Sequence, residues 1–139
     1  MNKNIKKILI VVFVIIAIIL VYFLKHMGNI KNSFKVDTQE QIDNKLSNGL
    51  ITMINFSSNT CPACLSMQTD FEKIYKQYNG KANIIEVNVD NNDKIAQKYD
   101  IKYTPTQIFY DTTGKAVYRH EGVMSKENIA KKLDSLGKI

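Results

Sequence analysis

Cysteine is scarce in this chain of 139 residues, which has two, Cys61 and Cys64, separated by two residues. Tryptophan is absent, and proline and histidine each occur twice. A disulfide-stabilised scaffold would carry several cysteine pairs, so a single close pair excludes that class of protein. A closed zinc site takes about four ligands, and His26 and His120 lie far from the cysteines in the sequence. We therefore expect no metal and no cofactor.

A strong excess of one charge is also missing from most of the chain. The net charge is +6, but four of the lysines (Lys3, Lys6, Lys7 and Lys25) flank one apolar segment, and no acid does. From residue 31 onward, 15 Lys and Arg are interleaved with 13 Asp and Glu. This balance is typical of a solvated surface, and no basic stripe alternates with aromatic residues. We expect no nucleic-acid partner.

Charged residues are absent from Ile8 to Leu24, a run of 17 residues. A helix needs about 17 to 25 apolar residues to cross a bilayer, so the run predicts a transmembrane anchor. A cleaved signal peptide is the alternative, but the exit "VYFLKHMGNI" has bulky residues where a cleavage site needs small ones. Because lysines precede the span, we expect a single-pass protein of the cytoplasmic membrane, with the N-terminus in the cytoplasm and the rest on the outer face.

Three regions follow from this pattern: residues 1–25 as cytoplasmic N-terminus and anchor, 26–33 as a linker, and 34–139 as one domain. In the domain, apolar runs and helical periodicities alternate in the order β-α-β-α-β-α-β-β-α, starting with a short strand at 34–36. The next helix is predicted to begin with a capping box of Asp37 and Glu40. Such an order predicts an α/β fold with a mixed central sheet and helices on both faces.

The cysteines fall where a strand leads through a loop into a helix. Cys61 is predicted at the helix N-terminus, with Pro62 at the first helical position. Unpaired N–H groups and the positive end of the helix dipole would stabilise a Cys61 thiolate and lower its pKa from about 8.5. Cys64, one turn on and facing inward, could then attack a mixed disulfide formed at Cys61. One alternative is a structural disulfide, but a disulfide that closes so short a loop stabilises a fold little. The other is an inert buried pair of cysteines.

The segments "NFSSNTCPACLSMQTDF", "VNVDNNDKIAQKYDIKYTPT" and "EGVMSKENIAKKL" resemble the thioredoxin family over residues 34–137. The resemblance implies a thioredoxin fold, a redox-active disulfide between Cys61 and Cys64, and thiol–disulfide oxidoreductase activity. It also implies a peptide-docking groove that comprises Cys61 and four substrate-binding residues, Pro62, Thr104, Pro105 and Gly122. Pro105 matches the cis-proline of the family, whereas the commoner case for such a residue is a trans proline that opens a strand. Phe56 matches a core aromatic residue.

Several positions depart from the family pattern, among them Pro62 and Ala63, which replace the usual Gly-Pro between the cysteines. Thr60 replaces the tryptophan that usually precedes the first cysteine, and Asn55 replaces the acid usually buried behind the pair. An amide cannot accept the proton of Cys64. We hypothesise that Glu86, at the position of a usual lysine, is the catalytic base, with its pKa raised by burial; the alternative is a Glu86 side chain that points to solvent.

The resemblance implies a tethered enzyme that reduces disulfides of exported or membrane proteins, with a membrane thiol transporter as candidate electron donor. Relatives that oxidise disulfides usually carry a helical insertion, for which this chain has no room, so reduction is favoured. An oxidase or isomerase using the same residues is the near alternative. A non-catalytic anchored binding module is the alternative from another class.

Overall fold

The computed structural model describes residues 3–27, 34–90 and 92–137, and the chain divides into two units, Met1–Ser33 and Phe34–Ile139. The first unit contains helix α1 (Lys3–Met27), in which the described side chains are Ile5 and those of residues 11–22, all exposed. Among the described residues, none of the helices has the combined length and hydropathy that a membrane span requires, and the predicted anchor is not shown. Of the predicted linker 26–33, the first two residues belong to α1 and the others lie outside the described residues.

The described part of the second unit has the order of helices and strands that the resemblance implied, around one mixed sheet. Its elements are α2 (Gln39–Leu46), β1 (Thr52–Ser57), α3 (Pro62–Gln77), β2 (Asn83–Asn88), α4 (Asp93–Lys98), β3 (Thr106–Tyr110), β4 (Ala116–Glu121) and α5 (Lys126–Gly137). The strands lie in the order β2-β1-β3-β4, with β1 parallel to β2 and antiparallel to β3, and β3 antiparallel to β4. The predicted mixed sheet with flanking helices is therefore confirmed.

The predicted first strand at 34–36 is shorter than expected. It is a single parallel bridge between Lys35 and Glu86. Two backbone hydrogen bonds hold it, from Val36 N to Glu86 O at 2.9 Å and from Glu86 N to Phe34 O at 2.7 Å. The chain turns into α2 directly afterwards, which leaves no room for a longer ladder.

The start of α2 lies one residue later than the sequence predicted. Thr38 is the N-cap, and its hydroxyl accepts a hydrogen bond from the backbone N of Gln41 at 3.3 Å. In return, the Gln41 side chain accepts from the backbone N of Thr38 at 3.2 Å. The predicted pair of Asp37 and Glu40 is therefore wrong, because a threonine with a glutamine three residues on forms the same reciprocal box.

Successive side chains of β1 point to opposite faces of the sheet, so this strand contributes to the core on both faces. Met53 packs in the cluster formed with α3 and α5, whereas Ile54 and Phe56 pack in the cluster formed with α2 and α4. Phe56 is fully buried and its ring centre lies 5.1 Å from that of Tyr99, which confirms its prediction as a core aromatic residue. Asn55 is on the α3 side, so this one strand carries both core contacts and a polar group toward the helix that bears the cysteines.

Candidate active site

The Cys61 side chain lies at the start of α3, as predicted. Cys61 is the N-cap residue in an extended conformation, and Pro62 follows in the first turn. The Cys61 Sγ atom accepts a hydrogen bond from the backbone N of Cys64 at 3.2 Å, and its thiol lies 3.3 Å from the carbonyl O of Thr104. Sulfur here takes the place of the hydroxyl or carboxylate oxygen that usually caps a helix.

This position controls the acidity of the Cys61 thiol. Partial burial acts to raise the pKa, but hydrogen bonds with the Cys64 thiol, with the side chain of Thr104 and with the backbone N–H groups of Cys64 and Ala63 outweigh it. The net effect lowers the pKa of Cys61 below that of an ordinary cysteine. Since the thiolate is the nucleophilic form, Cys61 is the more reactive of the two sulfurs near neutral pH.

The Cys64 thiol has the opposite electrostatic environment. It is buried, with 8% of its surface exposed, and both cysteines are reduced in the structure. Burial, followed by the hydrogen bond to Cys61, raises the pKa of Cys64 to about 11. The pair is therefore asymmetric: one thiol is exposed enough to attack, and its neighbour stays protonated until something removes its proton.

The loop that precedes Cys61 is held from the end of β2. The backbone N of Asn59 donates to Oδ2 of Asp90 at 2.8 Å, and the Thr60 hydroxyl lies 3.0 Å from the Ser58 hydroxyl, measured between the two oxygen atoms. Hydrogen bonds from Ser58 and Asn59 lower the pKa of Asp90. The sequence reasoning missed Asp90, although the carboxyl ends of the neighbouring parallel strands β1 and β2 necessarily lie side by side.

The predicted substrate-binding residues lie together beside Cys61. The Thr104–Pro105 peptide bond is cis, as the resemblance implied. The backbone N of Gly122 donates to the carbonyl O of Pro105 at 2.8 Å, which joins the loop after β4 to the loop before β3. We call the surface formed by Cys61, Pro62, Thr104, Pro105 and Gly122 the rim.

Two apolar side chains next to the rim were not predicted. Tyr103 precedes Thr104 and is 67% exposed, and Val123 follows Gly122 and is 55% exposed. Exposed apolar side chains around a reactive group favour contact with another polypeptide.

A buried amide pair lies under the first turns of α3. Gln107 Nε2 donates to Oδ1 of Asn55 at 3.0 Å and lies 3.8 Å from the sulfur of Met67, one turn after Cys64. Gln107 is fully buried, and within the described residues its Oε1 atom has no hydrogen-bond partner. Sequence reasoning identified Asn55 but not Gln107, because the pairing of β1 with β3 is not visible in the sequence.

The Glu86 residue, hypothesised as the catalytic base, is half-buried. It lines a cavity of about 40 Å³ together with Cys64, Lys35 and Gln68. By this measure about 10 to 15 Å³ holds one water molecule, so the cavity that Glu86 and Cys64 share has room for water. The structure thus brings Glu86 to the same cavity as Cys64.

The pairing of the strands places Glu86, Asn55 and three further polar residues in one line across the sheet, on the face that carries α3. We call this line the polar row; its members, in spatial order, are Lys35, Glu86, Asn55, Gln107 and His120. Directly paired residues on adjacent strands point to the same face. The centre of the row is a neutral amide pair, and ionisable groups stand at both ends. Within the described ranges, no three His, Cys, Asp or Glu side chains cluster in a way that could hold a metal ion.

Comparisons with known proteins agree with this geometry. A family model described as a thioredoxin-like domain matches residues 38–137. The chain is similar to thioredoxins of Staphylococcus epidermidis and Staphylococcus aureus, each 32% identical over 97 residues, which cover 70% of this chain and 91% of theirs.

Among solved structures, the chain is similar to thioredoxin from Trypanosoma brucei brucei, with 26% identity and a TM-score of 0.67 over 76% of this chain and 90% of that one. It is similar in fold to a mutant thioredoxin from Halobacterium salinarum, with 20% identity and a TM-score of 0.70 over 76% of this chain and 91% of that one.

Proposed function

The chain belongs to the thioredoxin family and is a thiol–disulfide oxidoreductase, and we propose that it reduces disulfides of exported or membrane proteins from a membrane tether. The observation that carries the chemistry is the 3.2 Å contact between Cys61 Sγ and the backbone N of Cys64. This contact stabilises the thiolate form of Cys61 at a helix start, while Cys64, one turn deeper, stays a neutral thiol.

In the proposed reaction, the Cys61 thiolate attacks one sulfur of a substrate disulfide, and that S–S bond breaks. The substrate sulfur that leaves takes up a proton. Cys64 then loses its proton and attacks the Cys61 sulfur, which releases the second substrate thiolate and forms the Cys61–Cys64 disulfide. Two electrons pass from the enzyme to the substrate, and a donor must reduce the pair again.

Glu86 is proposed as the group that accepts the Cys64 proton. Burial raises the pKa of Cys64 to about 11, so at neutral pH a base speeds its deprotonation. Asn55 cannot take that role, whereas Glu86 carries a carboxylate and lines the same cavity as Cys64. The proton would move through water in that cavity, which Lys35, the bridge partner of Glu86, also lines.

The rim is proposed to dock the substrate chain. The carbonyl O of Thr104 is 3.3 Å from Cys61 Sγ, so a substrate strand that pairs with the Thr104 backbone would place its disulfide at the nucleophile. Gly122 has no side chain, and a Cβ built there would meet none of the described atoms within 4 Å, which leaves space for a passing backbone.

The tether and the location outside the cytoplasm are supported by the sequence. Ile8–Leu24 carries no charge, and lysines precede it. In α1, the apolar side chains from Val11 to Tyr22 are exposed, and a surface of that kind requires an apolar environment to cover it. Confinement near the bilayer would raise the effective concentration of membrane-bound substrates and of a membrane thiol transporter as electron donor.

Trapping of substrates tests the catalytic proposal in the full chain. With Cys64→Ser, a mixed disulfide between Cys61 and a substrate protein should accumulate, and with Cys61→Ser it should not form.

The equilibrium potential of the Cys61–Cys64 pair against glutathione tests the direction of electron flow. A value near about −270 mV supports reduction, whereas one near about −120 mV would show an oxidase. No trapped species and no turnover would show a binding module.

Membrane fractionation and labelling of Cys61 in intact cells test the location. The full chain should remain with membranes after alkaline extraction, and a membrane-impermeant maleimide should reach Cys61 before lysis. A chain recovered without membranes, or a Cys61 that reacts only after lysis, would contradict the tether or the orientation.

A further inference from the structure

A cavity of about 360 Å³ lies between β4 and α5, at the end of the polar row that carries His120. Its size is at the lower end of the range for ligand-binding clefts, about 300 to 1,000 Å³. Apolar and polar residues both line the cavity. Its lining residues are Tyr118, His120, Val123, Met124, Asn128, Lys131, Lys132 and Ser135.

The cavity is continuous along the chain with the rim. Gly122, whose backbone N is 2.8 Å from Pro105 O, is followed directly by Val123 and Met124, which line the cavity. The Val123 side chain is 55% exposed, and Met124 is buried beneath it. A polypeptide docked on the rim that extends past Gly122 therefore reaches the cavity within one or two residues, at about 3.3 Å per residue.

The charged side chains that line the cavity are all positive. Lys131 and Lys132 stand on its α5 wall, and among the described residues no acidic side chain lines it. The ammonium group of Lys132 lies 4.2 Å from the centre of the Tyr118 ring, and within the same part of the chain neither lysine makes an ion pair. On the β4 wall, His120 Nε2 is 3.3 Å from the carbonyl O of Val123, which directs the imidazole toward the loop that joins rim and cavity.

We propose that this cavity binds an acidic side chain of the substrate polypeptide, close in sequence to the cysteine that Cys61 attacks. The proposal rests on the proposed function and names its substrate class: exported disulfide proteins with Asp or Glu beside the target cysteine. The two ammonium groups attract a carboxylate, and the apolar lining residues Val123 and Met124 accommodate the carbon atoms of its side chain. The cavity thus selects among partners that the rim would accept equally.

Matched disulfide peptides test this selection with the reduced full chain. They differ at one residue next to the target cysteine, which is Asp, Asn or Lys, and the readout is the ratio of their kcat/KM values. The wild type should prefer Asp over Asn by roughly threefold to tenfold, the range expected for one or two exposed ion pairs. Higher ionic strength should reduce the preference, because salt screens exposed charges.

The variant Lys131→Gln/Lys132→Gln should lose the preference, and Lys131→Glu/Lys132→Glu should reverse it toward the Lys peptide. The matched control is Lys76→Gln/Lys81→Gln, which removes the same charge at exposed residues outside the cavity and should behave as wild type. Because the readout is a ratio of kcat/KM values between two peptides, a variant that is less active on every peptide keeps the same ratio.

An unchanged Asp-to-Asn ratio in both cavity variants would overturn the proposal, and so would an equal loss in the control. Cys61→Ser separates this failure from that of the proposed function. If Cys61→Ser still reduces the peptides, the chemistry itself is wrong; if it is inactive and the ratios do not move, only the cavity assignment is wrong.

Discussion

The side-chain amide of Gln107 donates to Oδ1 of Asn55 over 3.0 Å, across the antiparallel pair β1 and β3. Both residues are buried, and the contact between Gln107 Nε2 and the Met67 sulfur joins the pair to α3, one turn from Cys64. A neutral pair thus lies where the resemblance implies an acid. The nearest carboxylate in the polar row is Glu86, paired with Asn55 in the register of β1 and β2 and open to a cavity.

Asn55→Asp should restore a buried acid and make the stability of the domain depend on pH. Burial will raise the pKa of the new carboxyl above its ordinary value of about 3.9. The variant should therefore match wild type below about pH 4 and lose stability as pH rises toward the raised pKa, by about 1.4 kcal/mol for every pH unit between the ordinary and the raised value. Urea unfolding at pH 4 and pH 7 measures the effect.

The control for that experiment is Asn79→Asp, an exposed residue in the turn after α3, which should change little at either pH. If the free energy of unfolding of Asn55→Asp fell equally at both pH values, the loss would come from the changed side-chain shape and hydrogen bonding, not from the charge.

The two thiols should be alkylated at very different rates at neutral pH. Hydrogen bonds lower the pKa of Cys61, whereas burial raises that of Cys64 to about 11. Iodoacetamide at pH 7 should label Cys61 first, with a rate that rises with pH to a midpoint below that of an ordinary cysteine. Cys64 should stay unlabelled until strongly alkaline pH. Peptide mapping by mass spectrometry measures both rates. Equal and slow labelling of the two sulfurs would contradict the proposed mechanism.

The helix start at Cys61 was predictable because it rests on local patterns: an apolar strand, a short loop, a proline and helical spacing. Phe56 was predictable because it ends an apolar run and matches a family position. The capping box of α2 was placed one residue early, since two overlapping residue pairs satisfy the same local rule. Local patterns therefore identify elements and the nucleophile, with an error of about one residue at a helix end.

Contacts between strands were not predictable in this way. Gln107 and His120 belong to the polar row only because of the register between β1, β3 and β4. Asp90, just after β2, holds the active-site loop, and the segment at 34–36 forms one bridge where a short strand was expected. Each of these facts depends on which strands become neighbours. The sequence pattern predicts where a strand occurs, but not which strand it pairs with.

Glu86→Gln should slow the step in which Cys64 resolves a mixed disulfide. The amide keeps the shape of the cavity but cannot accept a proton, so the rate at neutral pH should fall by roughly tenfold or more and its rise with pH should shift upward. Stopped-flow measurement of substrate release from a preformed mixed disulfide isolates this step. The matched control, Glu72→Gln, changes an exposed residue of α3 that does not line the cavity. An unaltered pH profile would exclude Glu86 as the base.

Phe56→Ala should separate stability from chemistry. Phe56 is fully buried and lies in the cluster with α2 and α4, whereas the cysteine-bearing helix packs on the other face of the sheet. Removing a buried phenyl ring costs about 3 to 5 kcal/mol, because apolar contact is lost and a cavity remains. The urea midpoint should therefore drop sharply. The ratio of Cys61 to Cys64 alkylation rates in the folded variant should not change. Phe56 takes no part in the hydrogen bonds that lower the pKa of Cys61, and Cys64, whose pKa is raised mainly by burial, lies in the helix on the other face. A changed ratio would mean that packing on the far face helps to set the acidity of Cys61, and the account of that acidity from hydrogen bonds at the helix start would then be incomplete.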